Sequence, residues 1–272
     1  ALNTGDVQEV QSLRYDDDGN PILGGAVRQT VDSEVAAPDI DVQARTASLG
    51  GHLNADGATG GDIDVAVDGG LSMGGTLTAR GNAGDGGDIA IEASGRLLEN
   101  SGSYVDASGT ADGGTITVDN TGGRSFHSGN YFAGGITGSG GTIAMTADEL
   151  NLLSPTLSAT GGSRGGRILV GGDFQGKKDS TGHPLYDVFE GRFGGAYGLN
   201  PADTVLVSSG TTLDATSSQG AGGTAVVWSQ ERTRMDGEID VRGNSTDGAV
   251  EISSKNLLEH AGLDGVQAGT GD

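Results

Sequence analysis

The sequence contains no cysteine, few aromatic residues and few basic ones. Its 272 residues include 15 Lys and Arg against 37 Asp and Glu, which gives a net charge of −22, and aromatic residues make up 4%. The absence of cysteine excludes a disulfide scaffold, thiol chemistry and cysteine-ligated metals. Because phosphate groups are bound by clustered Lys and Arg, the charge argues against nucleic acid and anionic lipid as partners.

Long apolar segments are also missing. No run of about 18 apolar residues occurs, so we expect no insertion into a membrane. Glycine, by contrast, accounts for 53 residues, but no Gly-X-Y triplet repeats, which excludes collagen. The sequence begins at Ala1 without Met or a charged and then apolar leader, so we expect a fragment or a processed product.

A repeat of about 26 residues organises most of the chain. In each repeat a Gly-Gly pair, or a single Gly in the last one, precedes a short run rich in β-branched residues. One interval is about twice as long as the others, which indicates a repeat with an insertion of about thirty residues. The runs are Asp62–Val67, Asp88–Ile91, Thr115–Val118, Thr142–Met145, Arg167–Val170, Thr224–Val227 and Ala249–Ile252.

Each repeat predicts three short strands. In the repeat at 142–160, apolar residues alternate with polar ones, which is the pattern of strands with one buried face. Turn-forming Gly, Asn, Asp and Ser separate the strands. We therefore predict an all-β protein, a parallel β-helix of about eight coils over residues 39–272, with a β-sandwich array as the alternative. Residues 1–38 are predicted to be an irregular coil or extension, and 255–260 show a weak helical pattern.

Five ordered segments in the C-terminal half resemble the filamentous-haemagglutinin-like adhesins of bacterial two-partner secretion. The segments are Gly165–Gly176, Thr211–Ala215, Val226–Ser229, Thr233–Gly243 and Val250–Ser253. The resemblance implies a right-handed β-helix, export through an outer-membrane secretion partner, and an adhesive role. It further implies a secreted or surface location in a Gram-negative bacterium. The secretion-domain motifs of the family are not found, so we expect an internal piece of a longer exoprotein.

Two segments hold most of the aromatic residues and define the predicted binding site. One is the insertion, residues 175–203, and the other is 124–132, two coils earlier. If both lay at one edge of the β-helix, they would form one aromatic and basic patch able to bind a glycan, a biofilm matrix polymer or a host surface protein. The alternative is that the aromatics form a private core that holds the loop. The predicted binding residues are Lys177, Lys178, His183, Tyr186, Phe189, Arg192, Phe193 and Tyr197, with Phe126, His127, Tyr131 and Phe132.

Catalytic, metal and cofactor sites are not expected. The candidate carboxylates are scattered, and a polysaccharide-cleaving site also needs basic residues against the charge of the substrate. The four histidines are far apart in sequence, and the Gly- and Asp-rich segments lack the tandem calcium-binding pattern. Trp228 is out of phase with the inward residues, so we predict a structural role on the outer side of its strand. The carboxylates considered are Asp62, Asp64, Asp88 and Glu92.

The sequence therefore predicts a non-enzymatic stalk segment of an adhesin. Three alternatives stay open. The chain could be the stalk of a contact-dependent toxin-delivery exoprotein, a polysaccharide-processing β-helix enzyme, or a spacer that binds nothing.

Overall fold

The computed structural model describes residues 7–11, 13–15, 21–23, 25–29, 33–178, 181, 184–260 and 265–268. Short strands follow one another along nearly the whole of this part of the chain. The first fourteen are β1 (Val7–Gln11), β2 (Leu13–Tyr15), β3 (Pro21–Leu23), β4 (Ala26–Gln29), β5 (Glu34–Ala36), β6 (Asp39–Ala44), β7 (Thr46–Leu49), β8 (His52–Asn54), β9 (Asp62–Val67), β10 (Leu71–Met73), β11 (Thr76–Thr78), β12 (Asp88–Ala93), β13 (Arg96–Glu99) and β14 (Tyr104–Asp106). The others are β15 (Thr115–His127), β16 (Asn130–Phe132), β17 (Thr142–Leu152), β18 (Thr156–Ser158), β19 (Arg167–Val170), β20 (Thr204–Val207), β21 (Thr212–Asp214), β22 (Thr224–Ser229), β23 (Arg232–Met235), β24 (Glu238–Asp240), β25 (Ala249–Ser254), β26 (Leu257–His260) and β27 (Val266–Gln267).

The strands stack in parallel into three faces, and each coil contributes one strand to each face. Faces 1 and 2 form a 16-stranded sheet because β15 and β17 turn the corner between them, and face 3 is a nine-stranded sheet. Face 1 contains β1, β6, β9, β12, residues 115–120 of β15, residues 142–147 of β17, β19, β22 and β25. Face 2 contains β4, β7, β10, β13, residues 124–127 of β15, residues 149–152 of β17, β20, β23 and β26. Face 3 contains β5, β8, β11, β14, β16, β18, β21, β24 and β27.

The register of face 1 follows the sequence repeat. The first residues of the predicted runs pair in succession, from Asp62 with Asp88 to Thr224 with Ala249. The predicted parallel β-helix of about eight coils is therefore confirmed.

Glycine pairs mark the corner before face 1 because successive coils approach closely there. A Cβ atom on Gly87 would lie 1.9 Å from the carbonyl oxygen of Gly61, and one on Gly141 would lie 1.9 Å from that of Gly114. Real Cβ atoms do not approach a backbone oxygen so closely, so these positions require glycine. The pairs that define the repeat are thus set by the contact between coils.

The core is a narrow column of stacked aliphatic side chains. On face 1, isoleucines of six successive coils pair in register and point inward, each 2% exposed or less. Each buried isoleucine stabilises the fold by about 1.5–3 kcal/mol. The column consists of Ile40, Ile63, Ile89, Ile116, Ile143 and Ile168.

The N-terminal end of the described chain is less regular than the other coils, and the C-terminal end differs from the local sequence pattern. Within residues 1–38, β1, β4 and β5 pair with the second coil, and β2 and β3 form an antiparallel pair between them. The weak helical pattern at 255–260 does not produce a helix. Strand β26 instead extends face 2 by pairing with β23. The preceding coil offers a row of backbone hydrogen bonds, which outweighs a weak local preference for helix.

Candidate functional site

The insertion lies on the outer side of face 1. The chain leaves the solenoid after β19 and returns to it at β20, and between them it forms a 3₁₀ turn at Phe174–Gly176 and one α-helix, α1 (Tyr186–Phe193). Within the described residues, no helix is long and apolar enough to cross a membrane.

A second hydrophobic cluster, separate from the solenoid core, attaches the insertion to face 1. The Phe174 ring stacks on that of Phe193 with 4.3 Å between centroids, and it lies 5.5 Å from the ring of Phe189. Trp228 is 8% exposed because the insertion covers it, as predicted for a residue on the outer side of its strand. The cluster consists of Phe174, which directly precedes the insertion, and Phe189, Phe193 and Leu199 of the insertion, against Ala144, Leu169, Val226, Trp228 and Ala249 of face 1.

The sequence of face 1 changes where the insertion covers it. In β9, buried and more exposed residues alternate, and the outward positions include Asp62 and Asp64. In β22, all six residues are buried, and Val226 and Trp228 take the outward positions. A continuous apolar run is typical of a strand that is buried on both faces. This run is the signal from which docking of the insertion could have been predicted.

Asp173 fastens the insertion to the solenoid. The side chain is 1% exposed, and its carboxylate accepts the backbone N–H groups of Tyr197, Gly198 and Leu199 at 2.9, 2.8 and 3.1 Å. It also accepts a hydrogen bond from the Arg167 guanidinium at 3.2 Å. Sequence reasoning missed both residues, because nothing local distinguishes Asp173 from the many aspartates at turns.

Arg167 extends this attachment to the end of α1. Its guanidinium donates to the carbonyl oxygen of Gly194 at 3.3 Å and also to that of Gly195. Burial lowers the pKa of Arg167, and the neighbouring Asp173 carboxylate opposes this effect. The Arg167–Asp173 ion pair therefore joins the end of β19 to residues 194–199 of the insertion.

Polar contacts spread the insertion across face 1. The Tyr197 hydroxyl lies 2.6 Å from Oγ1 of Thr117, two coils before β19. On the opposite side, the backbone N–H of Gln175 donates to the Glu251 carboxylate at 2.9 and 3.1 Å. Burial raises the pKa of Glu251. The insertion thus contacts five successive coils, from β15 to β25.

The residues predicted to bind within the insertion divide into a buried and an exposed group. Phe189 and Phe193 are 0% and 6% exposed, so they belong to the core of the insertion and are not a binding surface. For these two residues, the structure agrees with the alternative prediction, in which the aromatic side chains form a core that holds the loop. His183 lies outside the described residues. The exposed residues are Lys177, Lys178, Tyr186, Arg192 and Tyr197, and Leu185 joins them; Lys178 donates a hydrogen bond to Asn200.

The second predicted group does not join the insertion in one patch. Phe126 points outward on face 2, where the Arg96 guanidinium lies 5.5 Å from its ring centroid. Phe132 points outward on face 3, beside the ring of Tyr104. His127 and Tyr131 point inward and are 0% exposed. The single patch is wrong because 124–127 and 130–132 are regular strands, whose residues alternate between the core and the surface.

Carboxylates stack on the uncovered part of face 1. Asp62 pairs in register with Asp39 and Asp88, and all three are exposed. Partial burial and then repulsion from Asp88, Asp39 and Asp64 raise the pKa of Asp62. A shallow depression beside them is lined by Asp41, Gln43, Asp64, Val65, Ala66, Ala90 and Glu92. None of these described lining residues is Lys or Arg.

The fold defines the chain as a parallel β-solenoid, and the chain is similar to a solved structure of this architecture. It is the crystal structure of the HMW1 secretion domain from Haemophilus influenzae, with a TM-score of 0.58 and 16% sequence identity. The similarity covers 86% of this chain and 75% of that chain. No protein-family model matches the sequence, and no curated protein matches it. At this identity, the structural similarity shows the fold.

Proposed function

We propose that this chain is a non-enzymatic segment of a secreted or surface-exposed adhesin. In this proposal the β-helix is a stalk, and the outer side of the insertion binds a glycan, a matrix polymer or a host surface protein. The observation that carries the proposal is the docked insertion. Its own aromatic core and the Asp173 carboxylate hold it against face 1 and leave Tyr186 and Arg192 exposed on α1.

The composition of the exposed side supports a binding role. Leu185 and Tyr186 are 45% and 50% exposed, and Arg192 is exposed on the same helix. Tyrosine and arginine are, with tryptophan, the residue types enriched among binding hot spots. Asp187 and Glu190 are also exposed on α1, so the exposed side offers aromatic and apolar groups with charges of both signs on a rigid support.

Export through an outer-membrane partner of a Gram-negative bacterium is also part of the proposal. A solved structure that shares the fold is described as a secretion domain, and five segments of the sequence resemble two-partner-secretion adhesins. The sequence has no cysteine that could form a disulfide before export. Each coil pairs only with its neighbours along the axis, so the solenoid can grow coil by coil as the chain emerges.

The absence of basic residues beside the stacked carboxylates supports a non-enzymatic role. Cleavage of an acidic polysaccharide requires groups that balance the charge of the substrate, and the described lining of the depression on face 1 provides none. We expect no new reducing ends or unsaturated products from acidic polysaccharides. Product formation that is lost in Asp64→Asn would contradict this part of the proposal.

The binding proposal is tested on an array of glycans and matrix proteins. The test variant is Tyr186→Ala/Arg192→Ala, and the matched control is Phe126→Ala/Arg96→Ala, which removes an aromatic residue and an arginine from face 2. We expect the unaltered chain and the control to bind and the test variant to lose at least tenfold in affinity. Equal binding by all three would contradict the proposed surface, and no binding by any would leave a spacer.

A further inference from the structure

Face 3 carries a cluster of aromatic and polar side chains on its outer side. Tyr104 and Asp106 lie on either side of the buried Val105 in β14, and Phe132 follows the buried Tyr131 in β16. Because side chains alternate along a strand, these three residues point away from the core. Together with their outward neighbours in the two preceding coils they form what we call the face 3 platform. It consists of Asp56, Thr78, Arg80, Tyr104, Asp106 and Phe132.

Two aromatic rings form the apolar part of the platform. The ring centroids of Tyr104 and Phe132 are 5.0 Å apart, with 33° between the ring planes. The two residues belong to adjacent coils, since Asp106 pairs in register with Phe132. Both residues are partly exposed. The rings therefore offer an apolar area that spans two coils.

Hydrogen bonds hold the polar groups beside the rings in fixed positions. The Tyr104 hydroxyl donates to Oδ2 of Asp106 at 3.0 Å, and the backbone N–H of Ser108 donates to Oδ1 of the same carboxylate at 2.9 Å. Asp106 and Thr78 point outward but are only 4% and 2% exposed, so neighbouring side chains cover them. The platform is thus ordered before a ligand binds, which lowers the entropic cost of binding.

Arg80 supplies an exposed hydrogen-bond donor to the platform. Its Nε and Nη2 donate to Oδ2 of Asp56 at 3.0 and 2.7 Å, and its backbone N–H donates to Oδ1 at 2.8 Å. The hydrogen bond with Asp56 raises the pKa of Arg80, and the nearby charge of Asp106 adds to this effect. The Arg80 side chain is still 45% exposed. Asp56 therefore fixes the direction of the guanidinium and leaves much of it accessible to a ligand.

The charges of the platform favour a neutral ligand. The carboxylates of Asp56 and Asp106 outweigh the single positive charge of Arg80, and the whole protein has a net charge of −22, so an acidic polymer is repelled. A metal ion is also disfavoured. Both carboxylates already accept hydrogen bonds from side chains and from the backbone. Among the described residues, no group of three His, Asp or Glu is placed to hold a metal ion.

We propose that the face 3 platform is a binding site for a neutral glycan chain, separate from the insertion on face 1. A sugar ring has an apolar C–H side, which packs on aromatic rings, and hydroxyl groups, which bond to guanidinium and carboxylate groups. The platform presents both kinds of group side by side. From Asp56, after β8, to Phe132, in β16, it extends over three coil spacings, about 14 Å along the axis. This length fits several linked sugar rings better than a single one.

The test measures how much of the chain is removed from solution by cellulose and chitin, with alginate beads as the acidic comparison. The test variant is Tyr104→Ala/Phe132→Ala. The matched control is Leu98→Ala/Phe126→Ala, which removes two outward apolar side chains that pair in register on face 2. We expect the unaltered chain and the control to bind cellulose or chitin, and the test variant to bind at least about tenfold more weakly. Equal binding by all three, no binding to either neutral polymer, or tighter binding to alginate would overturn the proposal.

Two further variants separate this site from loss of folding and from the insertion. Arg80→Gln keeps both rings and removes an exposed donor, so we expect its affinity for the neutral polymer to fall by about threefold or more. Tyr186→Ala/Arg192→Ala alters only the insertion and should bind that polymer as tightly as the unaltered chain. Circular dichroism and the emission of Trp228 verify that each variant is folded. Full affinity in Arg80→Gln, or loss of binding in the insertion variant, would overturn the proposal.

Discussion

Replacing Asp173 with alanine should detach the insertion and leave the solenoid folded. The variant removes the acceptor of three backbone N–H groups and leaves Arg167, whose side chain is 13% exposed, without its ion-pair partner. Breaking a buried ion pair in this way costs about 3–5 kcal/mol. Because each 1.4 kcal/mol is a factor of ten, docking should weaken by about a hundredfold to several thousandfold.

Trp228 reports docking directly. It is the one tryptophan of the chain, and the insertion covers its ring. In Asp173→Ala we expect the tryptophan emission to shift to longer wavelength and acrylamide quenching to increase. The far-ultraviolet circular dichroism should stay that of a β-solenoid, since neighbouring coils still pair with one another.

The control for this experiment is Asp214→Ala. Asp214 lies on face 3 and accepts one backbone N–H, from Thr216, at 3.0 Å. Its loss should leave the emission of Trp228 unchanged. Unchanged emission and quenching in Asp173→Ala itself would refute the role of this carboxylate in holding the insertion.

Three further predictions concern the solenoid and the helix of the insertion. Ile116→Ala should lower the free energy of unfolding by about 2–5 kcal/mol in denaturant titrations, because it opens a cavity in the central isoleucine column. Gly141→Ala should unfold or severely destabilise the protein, since the new Cβ would lie 1.9 Å from a backbone oxygen, whereas Gly191→Ala in α1, with nothing within 4 Å, should raise the melting temperature of the insertion. Asp62→Asn should slightly raise the free energy of unfolding at pH 7, because the pKa of Asp62 is raised in the folded state and its ionisation is unfavourable there. That gain should disappear as the pH falls below about 3.9, where the unfolded aspartate is protonated too.

The solenoid could be predicted from the sequence because the features that determine it lie within each repeat and between neighbouring repeats. Glycine pairs, strands with period-two alternation and a constant interval each repeat along the chain, and contacts join neighbouring coils. The register of Asp88 with Asp62 and with Thr115 follows directly from that interval.

The placement of the aromatic residues required the structure. His127 and Tyr131 were predicted to join a surface patch because segment 124–132 is rich in aromatic residues, but their strand positions direct them into the core beside Glu99. Counting alternation from the buried Leu97 would have placed Glu99 inward. Residue type favoured a surface position for His127 and Tyr131, whereas their place in the repeat favoured the core. The structure follows their place in the repeat.

Helix α1 was not predicted either. It has eight residues, and its apolar side consists of the buried Phe189 and Phe193 with the partly buried Val188. Gly194, which ends the helix in the left-handed conformation with φ 75°, was the one local signal of a helix end. Contacts with face 1, distant in sequence, supply most of what orders this segment.

The central claim is that the exposed side of the docked insertion is an adhesive surface. The most direct measurement is the adherence of beads coated with the chain to a target surface, such as a biofilm matrix or host cells, with and without the Tyr186→Ala/Arg192→Ala substitution. We expect the unaltered chain to adhere, free chain to compete with it, and the variant to lose adherence while Trp228 stays covered. Full adherence by the folded variant would contradict the claim.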